Sequence, residues 1–142
     1  MVTNNKKEKM KISEKFAYAS LIGLIFLIFH FIMAYCKLNA MTNLVITLSL
    51  MLTAQLTAFA ILKKKQSDNE LQFKNIFGML CLTQCMEIIF LTINAAINPL
   101  EGHTSIDPIE VTMSLIIFGG GFSLLTTTVI WFSAVRKKPK SS

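Results

Sequence analysis

Long apolar runs alternate with short charged clusters along the whole chain. A helix needs about 20 apolar residues to cross a hydrocarbon core ~30 Å thick. Four stretches meet that length: residues 16–36, 43–62, 76–97 and 111–135. None has a proline in its interior. The pattern predicts an all-α integral membrane protein, a four-helix bundle, with a transmembrane domain over residues 16–135. Residues 1–15 and 136–142 are basic tails. The linker 37–42 is so short that the first two spans must form an antiparallel hairpin. The linker 63–75 is polar and is expected on the membrane surface. The linker 98–110 contains Pro99, Gly102 and Pro108 and is expected to be an irregular outer loop. No segment outside the spans is long enough to bury a core of its own. Any chemistry must therefore sit in the bundle, in the outer loop or in a partner.

Composition sharpens this picture. Hydrophobic residues make up 53% of the 142, charged residues 15%, and the mean hydropathy is +0.55. A soluble domain carries about a quarter charged residues. A soluble enzyme, a disordered chain and a disulfide scaffold are excluded. The charges are also lopsided. Thirteen of the fourteen basic residues fall in the N-terminal tail, the second linker and the C-terminal tail, which four spans put on one side. The exception, Lys37, can snorkel from a helix end. The third linker holds Glu101, Asp107 and Glu110 and no basic residue. The positive-inside rule then places both termini in the cytoplasm. Tyr18 and Trp131 are expected at the inner interface and Tyr35 at the outer one. The net charge of +6 suits anionic lipids of the inner leaflet and gives no reason to invoke nucleic acid. No small-x-small cleavage pattern follows the first span, so it reads as retained rather than as a signal peptide.

A few polar residues lie within the spans. At 1.5 Å of rise per residue, His30 is about 21 Å from the inner end and Glu87 about 17 Å. Gln55 and Gln84 lie about 10 and 12 Å deep, and Thr126 to Thr128 about 10–14 Å. These depths suggest an upper layer of His30 and Glu87 and a lower layer of Gln55, Gln84 and the threonines, Thr127 among them. Gln84 and Glu87 are three residues apart and share a helix face. A charged carboxylate at mid-membrane costs on the order of 3 kcal/mol, so Glu87 should face protein. One reading is a proton or cation relay through Glu87 and His30. The other is a neutral carboxyl, hydrogen-bonded to His30 or Gln84, that glues helices together. Gly119, Gly120 and Gly121, with Ser123 four residues after Gly119, and the pair Ala54 and Ala58 present small surfaces for helix packing. The glycine run lacks the lysine and hydroxyl residues of a phosphate loop. Cys81 and Cys85 share a face, and Cys36 lies apart from them near the outer face. No disulfide, metal site or cofactor is expected. Glu101, His103, Asp107 and Glu110 could hold a divalent ion only weakly and read as a solvated acidic loop. No catalytic constellation is present, so no enzyme is expected.

The stretch "ILKKKQSDNELQFKNIFGMLCL", then "INPLEGHTSIDP", then a last span ending "RKKPKSS", resembles a family of small four-span Bacteroidota proteins, the domain-of-unknown-function family numbered 4199. The likeness lies in the basic turn after the second span, in Phe73, Phe77 and Gly78, in Ile106, Asp107 and Pro108, and in the glycine-bearing last helix. It covers about residues 43–140. It implies the same topology and a bacterial inner membrane, and no activity. The tail also fits a dilysine retrieval signal, which in a eukaryote would mean the endoplasmic reticulum. The sequence reading is a non-catalytic subunit, assembly or interaction protein with a membrane-protein partner or as a homo-oligomer. Its alternatives are a small proton-coupled or ion-conducting carrier using Glu87 and His30, and an immunity-type membrane protein.

Overall fold

The computed structural model describes residues 10–36, 39–66, 71–97 and 107–135, and every regular element among them is helical. Helix α1 spans Ile12–Tyr35, α2 Ala40–Lys65 and α3 Phe73–Ile97. The fourth span is broken into unlike pieces. Helix α4, Pro108–Ser114, leads into a π-helical segment, Leu115–Phe122, then α5, Ser123–Ile130, and a second π segment, Trp131–Val135. Among the described residues, four helical stretches are long and apolar enough to cross a membrane: Ile12–Met33, Met41–Lys65, Phe73–Asn94 and Pro108–Ser133.

Polar residues just outside the apolar runs start the helices and lengthen them. Glu14 accepts the Lys11 N–H at 2.9 Å, so α1 begins four residues before the apolar span. Asn39 accepts the Thr42 N–H at 2.8 Å, and Asp107 accepts the Ile109 N–H at 2.8 Å, with Pro108 in the first turn. Lys63, Lys64 and Lys65 fill the last turn of α2, where positive charge meets the negative end of the helix dipole.

Most exposed side chains of α1 and α2 are apolar, and the exposed Ser49, Thr53 and Thr57 of α2 each donate to the carbonyl one turn back. Leu21, Leu24, Ile25, Ile28 and Ile32 of α1 and Leu44, Val45, Leu48, Leu52 and Leu56 of α2 are exposed. Helix α3 is the exception. It buries 44% of its apolar window, against 22%, 22% and 28% for the other spans, so it is the axis of the bundle. Its first turns join an apolar core of Ile22, Ala58, Leu62, Ile76, Met79, Leu80 and Ile130. Met10 and Leu71 close this core from below, packed with Tyr18 and Trp131. The second linker is thus not wholly solvated, because Gln66 and Leu71 are buried. Phe73 meets Trp131 edge-on at 6.1 Å, and Lys65 Nζ lies 5.8 Å from the Tyr18 ring. The side chain of Tyr35 lies outside the described residues.

Candidate functional site: a buried amide–carboxyl cluster

Above the apolar core the interior turns polar. Gln55 on α2, Thr83, Gln84 and Glu87 on α3, and Ser123 and Thr127 on α5 are all buried from solvent and lipid. Three side-chain hydrogen bonds join four of them. Gln84 Nε2 donates to Glu87 Oε2 at 2.6 Å. Gln55 Nε2 donates to Gln84 Oε1 at 3.2 Å and to Ser123 Oγ at 2.9 Å. The chain of contacts thus runs from α3 through α2 to the start of α5. Two oxygens in it, Gln55 Oε1 and Glu87 Oε1, are buried with no hydrogen-bond partner. Each unmet buried polar group costs about 1–3 kcal/mol. The cluster therefore carries unspent acceptor capacity in the middle of the bundle.

Thr127 is buried but stands outside this network. Its hydroxyl donates to its own helix, to the Ser123 carbonyl at 2.7 Å, as Thr83 does to Met79 at 2.9 Å and Thr126 to Phe122 at 2.9 Å. A threonine satisfied by the carbonyl one turn back has little left to offer a neighbour.

His30 and Glu87 do not form one layer. Helices α1 and α3 run side by side and meet closely at Gly23. A Cβ there would lie 2.9 Å from the Phe90 ring and 3.4 Å from the Glu87 backbone nitrogen. His30, seven residues further along α1, lies roughly 10 Å beyond that level. It stacks on Phe26 at 5.4 Å, and its Nδ1 is buried without a partner. Depths counted from span ends assume upright helices with common starting planes, and the tight crossing at Gly23 sets a different register. Glu87 joins Gln55 and Gln84 instead, so the two expected polar layers merge into one cluster with His30 above it.

The small residues divide as well. Ala54, Ala58, Gly119 and Ser123 are buried. A Cβ on Gly119 would lie 3.0 Å from Cys85 Sγ. Gly120 and Gly121 do not pack against a neighbouring helix. A Cβ on Gly120 would meet nothing within 4 Å, and one on Gly121 only the Ile116 carbonyl of its own segment at 4.0 Å. Sequence reasoning took Ser123 for a packing residue and missed it as a polar one. Its depth, about 18 Å from Val135, matches that of Glu87 and was the available signal.

Among the described residues no three His, Cys, Asp or Glu side chains gather to hold a metal. Cys36 is exposed, and Cys81 and Cys85 are half-buried free thiols. Glu101 and His103 of the expected acidic loop lie outside the described residues, and Asp107 caps α4. A cavity of about 110 Å³ lies between α1 and α2, lined by Ile22, Phe26, Phe29, Leu50 and Thr53 among others.

A family model for the transmembrane region of sodium/hydrogen exchangers matches residues 7–141. No curated protein and no solved structure matches. The family match overturns the resemblance to the domain-of-unknown-function family numbered 4199. That likeness rested on short motifs, and the basic turn and basic tail among them are what the charge rule produces in unrelated four-span proteins.

Proposed function

The chain belongs to the sodium/hydrogen exchanger transmembrane family, and from that premise we propose that it carries a proton or a monovalent cation across the membrane at Glu87. Members of the family are transporters, not enzymes. The observation that carries the reading is the state of Glu87. It is fully buried in α3, it has one hydrogen bond, and its second oxygen is unmet. An intramembrane acid faces protein or water and marks an ion path by default. A carboxyl that only held helices together would be expected to use both oxygens. A small cation at the free oxygen neutralises the charge and fills the vacant acceptor, and a proton on the carboxyl neutralises the charge and makes it a donor.

His30 is a second polar stop for a proton, further along α1, with its own vacant nitrogen. The family match favours this carrier reading over that of a subunit, assembly or interaction protein. The setting proposed is the bacterial cytoplasmic membrane, with both termini inside and the lysine-bearing end against anionic lipid. A second copy of the chain is the proposed partner, because a lone four-helix bundle has little interior to spare for a path.

The test is flux in vesicles. Wild-type protein should collapse an imposed pH gradient when sodium or another monovalent cation is added. Glu87→Gln should keep its helicity and detergent stability and lose that flux. Equal flux from the two proteins sinks the proposal.

A further inference from the structure

We infer that Gln84 and Gln55 form a reversible amide relay, whose hydrogen-bond direction follows the charge on Glu87 and carries it to Ser123 on the fourth span. The inference rests on the proposed role of Glu87 as a proton- or cation-binding group. Its basis is the polarity of the three bonds. A carboxylate only accepts, so Gln84 must present Nε2 to Glu87. Its Oε1 then faces α2, and Gln55 must present Nε2 to it, with a second N–H on Ser123 Oγ. Two of the three bonds donate toward the carboxylate and the third toward Ser123, and Gln55 Oε1 is left over, buried and unmet.

A proton on Glu87 adds an O–H that needs an acceptor. The nearest partner, Gln84, offers one if its planar amide turns over. Its Nε2 then faces Gln55, which must turn over too. That brings the unmet Gln55 Oε1 onto Gln84 Nε2 and Ser123 Oγ, and the serine hydroxyl becomes the donor. Three bonds are exchanged for three, one of the new ones is the strong O–H of a carboxyl, and Gln55 Nε2 takes the unpartnered place that its Oε1 leaves. No covalent bond changes, and the proton stays on Glu87. Which end of each amide is nitrogen is dictated by its neighbours, so the two glutamines read out the acid. Few other groups that can titrate face Glu87. Helix α1 offers His30 beyond Gly23, and α3 itself offers Cys81 and Cys85. Among the described residues, α2 and the fourth span offer none at this depth. Gln84 and Gln55 are thus positioning residues that link three helices to one proton.

Infrared difference spectroscopy of the reconstituted chain tests this, with ¹³C at the glutamine side-chain carbonyl and a pH titration. The expected result is a glutamine carbonyl shift that follows the Glu87 carboxyl band, is absent in Glu87→Gln and shrinks in Gln55→Met. Gln84→Met should also lower vesicle flux on the order of tenfold, the scale of one hydrogen bond to a charged group. A titrating carboxyl beside a static glutamine band in the wild type overturns the relay and leaves the carrier reading standing. That arm needs no variant to fold. A Glu87→Gln protein that carries ions as well as wild type removes the carrier reading, and the relay falls with it.

Discussion

Gly23 lets α1 and α3 approach closely. The Phe90 ring fills the space where its side chain would be, 2.9 Å from an added Cβ. Without a hydrophobic drive between helices in lipid, such backbone contact is what holds a pair together. Gly23→Ala must push the Phe90 ring aside, and overpacking of this kind costs about 1–3 kcal/mol. The expected outcome is a lower unfolding temperature in detergent, partly restored in the double variant Gly23→Ala/Phe90→Leu. Additive losses from the two changes would show that the ring is not what the methyl meets. This contact also sets the level of the site, since the same methyl would lie 3.4 Å from the Glu87 nitrogen. The sequence reading did not single out Gly23, although Ala19 and Ser20, four and three residues before it, give it the small-xxx-small spacing of a close helix contact. Glu87, Gln55 and Gln84 were legible, because a polar group deep in a span is costly enough to announce itself. Their mutual pairing, and the separation of His30 from them, depended on a helix register that spacing along the chain does not contain.

At the scale of the element, the fourth span is the irregular one. Eight residues, Leu115–Phe122, are π-helical, and they end where Ser123 reaches Gln55. π segments are rare and cluster at functional sites. Three glycines lie in this one, and only Gly119 is packed. Glycine in a helix costs about 1 kcal/mol relative to alanine, so an unpacked pair such as Gly120 and Gly121 keeps the segment soft. Alanine fits at both positions. Gly120→Ala/Gly121→Ala is expected to raise thermal stability by roughly 1–2 kcal/mol and to slow vesicle flux, because a stiffer α-helical span resists the adjustment at Ser123. Gly119→Ala should do the reverse to stability, since its methyl would sit 3.0 Å from Cys85 Sγ, and Cys85→Ala should relieve it. Faster flux in the double alanine variant would contradict a role for softness. The span itself was plain from hydropathy. Its π geometry was not, because periodicity in a segment apolar on every side carries no phase.

Across the whole molecule, one apolar core and one polar cluster are stacked along α3, and the order fixes which end of the bundle is dry. The apolar core lies at the lysine-bearing end, sealed by Met10, Leu71 and Trp131. An ion held at Glu87, as proposed, would have that apolar layer between it and the lysine-bearing end, with His30 toward the other. The proposal therefore predicts access from the side of the short first linker. Topology is open to a direct check at the same linker. Cys36 is exposed at the end of α1, while Cys81 and Cys85 are half-buried. With Cys81 and Cys85 replaced by alanine, Cys36 is the lone thiol. The charge asymmetry predicts that a membrane-impermeant maleimide labels it in intact cells, and that a cysteine placed at Lys64 instead is labelled only after the membrane is opened. Labelling of the Lys64 position from outside would invert the bundle. Glu87 would then open toward the cytoplasm, and flux should answer to internal rather than external pH.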